Sequence, residues 1–147
     1  MEATEYDPHD LGRFVRAQAA DYGRALAEVR AGEKRTHWMW YVFPQLAGLG
    51  SSPASWHYGI AGRAEAGAYL AHPVLGPRLA ECCEAAVGVG GRSADEVFGE
   101  ADARKLRSSA TLFAAVSPPG SVFARVLDRF FGGEPDPRTV GLLAAEG

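Results

Sequence analysis

The chain has 147 residues, 47% of them hydrophobic and 22% charged, and its formal net charge is −3. This length suits one domain with one core, and the composition is that of a globular protein rather than a disordered one. The acidic balance argues against broad electrostatic binding to nucleic acid or to anionic membranes, because both favour a basic surface. No apolar run is long enough to cross a bilayer, so we expect no membrane association.

The start of the chain and its cysteines indicate the compartment. The first seven residues are acidic and polar, which is the reverse of the basic and then apolar start of a secretory signal. The two cysteines, Cys82 and Cys83, are adjacent and supply no framework of loop-closing disulfides. We therefore expect a cytoplasmic protein, with frayed ends at residues 1–7 and 145–147.

The first half of the chain contains one strong helical pattern. Asp7 and Pro8 are typical of an N-cap and a first helical position, apolar residues then recur at helical spacing to Val29, and Gly32 is a plausible end. Residues 36–43 are almost continuously aromatic or apolar, so periodicity does not separate a buried helix from a strand; we favour a short helix. Residues 46–54 are rich in Gly and Ser and predict a loop. Residues 56–60 are ambiguous.

The second half predicts further helices. Their ranges are 63–71, from about 74 or 77 to 87, a very short segment between Ser93 and Gly99, 102–116, 122–131, and a last segment from Asp136. Ser93 and Glu96 match a capping box. No repeat of solenoid length is present. About seven helices with short joints predict an all-α, compact single-domain bundle over residues 1–147.

A dense polar-aromatic cluster lies between residues 34 and 58. All three tryptophans and two of the four histidines fall within it. Aromatic walls with a few convergent polar groups describe a small-molecule pocket. The alternative is that the tryptophans fill the core and the histidines make structural hydrogen bonds. The candidate ligand-binding residues of this cluster are Lys34, His37, Trp38, Trp40, Gln45, Ser52, His57 and Tyr58.

A second polar cluster covers residues 105–111, and Asp102 lies three residues before Lys105. On a helix, Lys105 neighbours Ser108 and Ser109, and a deprotonated lysine can activate a serine nucleophile. The simpler interpretation is that helical serines bond back to the preceding turn. Asp102 could cap the helix, pair with Lys105 or act as a general base. His72, just before Pro73, is a donor or general acid in one interpretation, and in the simpler one it bonds a backbone carbonyl.

Metal and phosphate motifs are weak in this sequence. Residues 48–52 resemble a short anion-holding loop, but the Lys-Ser/Thr pair of a P-loop is missing, so an ordinary turn is the simpler interpretation. No zinc or calcium motif occurs at local spacing, and zinc would require His37, His57 and His72 to converge. We predict no metal and no cofactor.

Several motifs together resemble the DUF1810 family of bacterial and some fungal proteins of unknown function. The matching stretches are residues 10–18, 34–45, 48–50, 69–76 and 105–113. The most distinctive is His-Trp-Met-Trp-x-x-Phe-Pro-Gln, residues 37–45. One departure is Ala110, where the family has a methionine, a change that would alter packing rather than chemistry. The resemblance implies a mainly α-helical fold and no assigned activity.

These patterns predict a cytoplasmic helical domain with a pocket for a small anionic, nucleotide-like ligand. Lys34, His37 and Lys105 would contact the anion, and Trp38 and Trp40 would form the walls. If the protein is an enzyme, His37 or Asp102 would act as acid or base, with Lys105 assisting, in hydrolysis or group transfer. The alternative is a protein–protein interaction module without catalysis, which would expose an apolar patch at Trp56, Tyr58 or the Phe130-Phe131 end. Nothing in the sequence indicates an oligomeric state.

Overall fold

The chain folds into α-helices joined by short loops. The computed structural model describes residues 6–146, and the predicted frayed ends lie partly outside them. The helices are α1 (Gly12–Ala31), α2 (Met39–Val42), α3 (Pro53–His57), α4 (Arg63–Ala71), α5 (Leu75–Val87), α6 (Ala94–Phe98), α7 (Glu100–Ala115), α8 (Val122–Phe131) and α9 (Pro137–Glu146). The predicted all-α fold is confirmed, with nine helices in this part of the chain rather than about seven. No helix in it is long and apolar enough to cross a membrane.

The start of α1 differs from the prediction. The helix begins at Gly12 rather than Pro8, because residues 7–10 form a turn and Asp10 has a left-handed φ of 50°. Asp7 still caps the start of α1, since its carboxylate accepts from the backbone N–H of Leu11 at 2.8 Å and of Gly12 at 2.9 Å. The predicted end is confirmed: Gly32 has φ 73°, the left-handed conformation that glycine adopts without strain.

The aromatic segment at 36–43 is a single helical turn, as favoured above. Met39, Val42 and Phe43 are each at most 3% exposed, so this side of α2 belongs to the core. Gln18 of α1 donates to the Tyr41 carbonyl at 2.7 Å and holds the turn against α1. The loop that follows is tied back by an isolated parallel bridge between Leu46 and Ile60. α3 starts inside the predicted loop, with the Ser52 side chain accepting from the Ser55 N–H.

The core is centred on α7, which packs against α4, α6, α8 and α9. Tyr69 of α4 links two aromatic rings there, with Phe14 of α1 at 5.1 Å edge to face and Phe113 of α7 at 5.3 Å. Leu106 and Phe113 are completely buried, whereas Lys105 reaches solvent. α7 therefore anchors the fold with one face and offers its polar residues on another.

One buried ion pair joins α1 to the rest of the bundle. Arg13 donates to Glu65 at 2.7 Å, and the two side chains are 9% and 6% exposed. The same guanidinium donates to the carbonyls of His57 at 2.7 Å and Gly59 at 2.9 Å. The second Glu65 oxygen accepts from the Ala61 N–H. Buried charges need this complete pairing, so Arg13 fixes the loop that leads from α3 into α4.

Candidate functional site

Residues 34–38 are held in place by a buried carboxylate. Glu28 of α1 is 8% exposed and accepts from the backbone N–H of Arg35 at 2.8 Å and of Thr36 at 3.1 Å. It also accepts from the Thr36 hydroxyl at 2.7 Å and from Trp38 Nε1 at 2.9 Å. Burial alone would raise the pKa of Glu28, but these donors outweigh it and lower the pKa to about 2. Glu28 is therefore charged at neutral pH and fixes the loop that carries Lys34.

The two polar clusters of the sequence meet at Asp102. Lys34 Nζ lies 2.8 Å from Asp102 Oδ2, and Lys105 Nζ lies 3.0 Å from Asp102 Oδ1. The Lys34 side chain is only 6% exposed, and its ammonium also donates to the Thr36 carbonyl at 2.6 Å. The Lys105 side chain is 22% exposed. The carboxylate therefore binds one buried and one accessible ammonium.

The two lysines lower the basicity of the Asp102 carboxylate. Partial burial would raise the pKa of its carboxyl, but the hydrogen bonds and charges of Lys34 and Lys105 outweigh burial and hold the pKa below its usual value. Both oxygens accept from an ammonium, so little basicity remains for a general base. The geometry favours Asp102 as a residue that positions the two lysines.

Trp40 separates two cavities at this place. The smaller, of about 90 Å³, is lined by Lys34, His37, Trp38, Met39, Trp40, Tyr41 and Asp102. The larger, of about 280 Å³, is lined by Trp40, Gln45, Leu49, Gly50, Ala101, Arg104, Lys105, Ser108, Asp136 and Arg138. The Lys105 ammonium lies 4.7 Å from the centre of the Trp40 ring, at the distance of a cation–π contact. Trp40 and Lys105 thus form a wall of the larger cavity and connect it, through Asp102, to Lys34.

The larger cavity carries a local positive charge on an acidic protein. Three cations line it, Arg104, Lys105 and Arg138, against one carboxylate, Asp136. Asp136 Oδ2 accepts from the Thr139 N–H at 2.9 Å and from the Thr139 hydroxyl at 2.6 Å, neutral donors that hold the carboxylate in place without cancelling its charge. Arg104 contacts Glu100 at 3.6 Å, but both side chains are at least 70% exposed, so water weakens this pair.

Two neutral polar residues border the same cavity. The Ser108 hydroxyl donates to the Arg104 carbonyl at 3.1 Å, the back-bonding that is common for helical serines. This leaves the lone pairs of the hydroxyl oxygen as acceptors and makes Ser108 a poor nucleophile. Gln45 is 8% exposed as a residue, and no group within residues 6–146 hydrogen-bonds its side-chain amide, which stays accessible from the cavity. Its backbone carbonyl is fixed by the Ile60 N–H at 2.9 Å.

The other predicted site residues are placed elsewhere. His37 is exposed at the rim of the smaller cavity, and Trp38 is 1% exposed in the core. Ser52 caps α3, and His57 is exposed with its ring against Tyr58. His72 accepts from the Val74 and Leu75 N–H groups at the start of α5 and borders a different cavity, beside Asp7 and Arg16. Ser109 is 1% exposed in the core. The structure therefore brings Trp40, Gln45, Lys105 and Ser108 together, with Lys34 and Asp102 directly behind them.

Metal and thiol chemistry have no support at this place. Among the described residues, no three His, Cys, Asp or Glu side chains lie close enough to hold a metal ion, so His37, His57 and His72 do not converge. Burial raises the pKa of Cys82 to about 12 and that of Cys83 well above its usual value, so both thiols stay protonated.

The apolar patch expected of an interaction module is only partly exposed. Trp56 is 57% exposed, but Phe130 and Phe131 are partly buried. Single exposed apolar residues are ordinary on protein surfaces.

Four residues of this region were not predicted as part of it: Glu28, Arg104, Asp136 and Arg138. Asp136 and its Pro137 predicted the start of α9, but no pattern placed α9 beside α7. Arg104 and Arg138 are exposed arginines like many others in the chain, and only tertiary packing brings them together. Glu28 had one signal, its position among apolar residues of α1, since an acidic residue on a buried helix face needs partners.

Comparison with known proteins agrees with this fold. The chain is similar to a conserved hypothetical protein from Mycobacterium tuberculosis whose crystal structure is known: the TM-score is 0.92 and the identity 54%, over 94% of this chain and 99% of that one. No curated protein matches the chain. The family described as a protein of unknown function, DUF1810, matches residues 8–143. The resemblance found in the sequence is thereby confirmed, and the chain belongs to the DUF1810 family.

Proposed function

We propose that the larger cavity beside Trp40 binds a small anionic ligand. The observation that carries this proposal is its charge: Arg104, Lys105 and Arg138 line one cavity of a chain whose net charge is −3. Like charges repel and such clustering costs free energy, which an anionic ligand would return. Among the lining residues the one carboxylate, Asp136, bonds only the neutral donors of Thr139, so three cations face a single anion.

The three cations of the larger cavity differ in how firmly their side chains are held before a ligand binds. Lys105 is held by Asp102 and by the face of Trp40, so little of its conformational freedom is left to lose on binding. Arg104 and Arg138 are exposed and come from different helices, α7 and α9. We expect these two arginines to close on the anion from the solvent side. Arginine suits this role because its planar fork donates two parallel hydrogen bonds to a phosphate or carboxylate.

The volume of the larger cavity limits the size of the ligand that it can hold. Small-molecule pockets usually measure about 300–1,000 Å³, and this cavity of about 280 Å³ lies at the lower limit. A sugar phosphate or a mononucleotide is of suitable size, whereas a dinucleotide or ADP-ribose would extend into solvent.

Binding is better supported than catalysis. Asp102 and Ser108 are both engaged in hydrogen bonds that lower their reactivity, and His37 lies at the smaller cavity, on the other side of Trp40. If the protein is an enzyme, His37 would act as acid or base on a ligand that reaches past Trp40. A His37→Ala variant that binds phosphate esters normally but no longer turns any of them over would support that role.

Calorimetry tests the proposal directly. Inorganic phosphate, ribose 5-phosphate, nucleoside monophosphates and ADP-ribose would be titrated into the protein at low ionic strength. Each charge-assisted hydrogen bond contributes about 1.5–3 kcal/mol, so an Arg104→Gln/Arg138→Gln double variant should bind at least about tenfold more weakly. The control is Arg16→Gln/Arg35→Gln, which removes two cations whose side chains are 71% and 72% exposed outside the cavity.

The outcomes separate clearly. Loss of binding in the cavity variant, with the control within twofold of wild type, supports the proposal. No binding of any of these compounds to wild type overturns it, as does an equal loss in both double variants, which would reveal only nonspecific attraction by net charge. We also expect the affinity to fall as NaCl is raised, because the two arginines are exposed to screening.

A further inference from the structure

We propose that the ligand carries, next to its anionic group, a planar ring with an adjacent hydrogen-bond donor and acceptor, as a nucleoside monophosphate does, and that Gln45 binds the edge of this ring. This inference rests on the proposed function, because the anion would anchor the ligand in the same cavity. It assigns Gln45 the selection of the ring and leaves the anion to Arg104, Lys105 and Arg138.

Gln45 is a buried polar residue of the cavity wall whose side chain makes no hydrogen bond to the described protein. It is 8% exposed as a residue, and no group in the described part of the chain hydrogen-bonds its side-chain amide, whose atoms stay accessible from the cavity because Ser55 Oγ is the one fully buried side-chain polar atom without a partner there. A ligand that fills the cavity removes the solvent from this amide, and leaving the amide unpaired would then cost free energy. Since Gln45 lines the cavity, its free amide is available to whatever fills that space. The Ile60 N–H donates to the Gln45 carbonyl at 2.9 Å and fixes the backbone from which the side chain reaches the cavity.

An amide selects a particular kind of partner. It offers two N–H donors and one carbonyl acceptor side by side. Phosphate oxygens alone satisfy the donors and leave the acceptor unpaired. A lactam or amidine edge satisfies both, which is why glutamine and asparagine often make paired hydrogen bonds with nucleobases.

The remainder of the wall suits a flat apolar body. Trp40, Leu49 and Ala101 lie beside Gln45, and the wall at Gly50 is bare backbone. A Cβ atom at Gly50 would come within 2.8 Å of the Ser55 hydroxyl, so this position has no room for a side chain. Trp40 can stack on a base or pack against its edge. Simple anions such as sulfate would leave this apolar side of the cavity and Gln45 unused.

The experiment compares ligands that differ by one group. Wild type would be titrated by calorimetry with ribose 5-phosphate, AMP, UMP and 3-methyluridine 5′-monophosphate, which lacks the lactam N–H of UMP. We expect AMP or UMP to bind at least tenfold more tightly than ribose 5-phosphate. If UMP is the preferred ligand, methylation should remove most of that advantage.

The protein side uses Gln45→Leu, which keeps the size of the residue and removes the amide. We expect this variant to bind the preferred nucleotide at least tenfold more weakly than wild type does, and to bind ribose 5-phosphate within twofold of wild type.

Ribose 5-phosphate binding as tightly as both nucleotides overturns this inference and leaves the proposed anion site intact. Equal weakening of sugar phosphate and nucleotide by Gln45→Leu also overturns it. No binding of any compound would overturn the anion site itself. The comparison of ligands on wild type needs no variant, so it holds even if Gln45→Leu fails to fold.

Discussion

Lys34 Nζ lies 2.8 Å from Asp102 Oδ2, a contact between two segments that are far apart in the chain. It joins the loop before α2 to the first turn of α7. The Lys34 ammonium is almost buried, whereas Lys105, on the other Asp102 oxygen, is partly open to solvent. The same carboxylate therefore has a structural role toward one lysine and a positioning role toward the other.

Asp102→Asn should be clearly destabilising. It removes the only carboxylate that contacts Lys34 in the described residues and leaves the ammonium of a side chain that is 6% exposed without a counter-charge. Breaking a buried pair costs about 3–5 kcal/mol, and because the Asp102 side chain is 21% exposed we expect a smaller loss, about 2–3 kcal/mol. Urea unfolding measures the free energy. Lys105→Met, which leaves the Lys34 pair intact, should cost less than about 1 kcal/mol. Equal losses in the two variants would contradict the assignment.

Prediction from the sequence succeeded where local patterns decide the structure. The end of α1 at Gly32, the capping box at Ser93 and the bounds of α4 follow from glycine conformation, side-chain capping and helical spacing, which are properties of neighbouring residues. The predicted start of α1 was wrong because Asp10 adopts a left-handed conformation, which no short sequence motif indicates.

Some residues of the candidate site could be identified from the sequence, and others could not. Lys34, Trp40, Gln45 and Lys105 stand out by residue type, so they could be chosen from the sequence. Arg104 and Arg138 could not, since their importance arises only when α9 packs against α7. His72 was chosen for its chemistry, yet its ring nitrogen accepts backbone N–H groups at the start of α5, a role that residue type does not reveal.

Arg13→Lys should be among the most destabilising conservative changes in this protein. Lysine has no planar fork, so it cannot reach Glu65 and the carbonyls of His57 and Gly59 together. We expect a loss of about 3–5 kcal/mol, as for other broken buried pairs. Thermal or urea unfolding would measure it. Arg16→Lys, one turn later and 71% exposed, is the matched control and should change stability by less than about 0.5 kcal/mol. A loss below about 1 kcal/mol for Arg13→Lys would show that the pair is dispensable.

The end of α9 should depend on Glu146. Its carboxylate accepts from the Arg63 backbone N–H at 3.1 Å and thereby caps α4, while the Arg63 side chain donates to the Leu143 carbonyl at 2.9 Å. Glu146→Gln should increase amide hydrogen exchange in α9 several-fold and lower global stability by less than about 1 kcal/mol, because the contact is largely exposed. Gly62→Ala should have a similar effect, since a Cβ there would come 2.1 Å from a Glu146 oxygen. Unchanged exchange in both variants would contradict this role.

Glu28 should make the stability of the protein sensitive to acid. Its pKa is about 2 in the folded state and has an ordinary value of 4.5, so the unfolded chain takes up the proton more readily. The stabilisation is complete above about pH 4.5 and is lost as the pH falls toward 2. The shift corresponds to about 3 kcal/mol, which Glu28→Gln should lose at pH 7.

The difference between wild type and Glu28→Gln should then shrink steadily between pH 5 and pH 2, because only wild type carries this titration. Urea unfolding at several pH values measures it. Glu33→Gln, which removes a carboxylate that is 51% exposed and paired with Arg35, is the control and should follow wild type at every pH. A constant difference between wild type and Glu28→Gln over this range would mean that protonation of Glu28 does not weaken its four hydrogen bonds, and that folding does not lower its pKa.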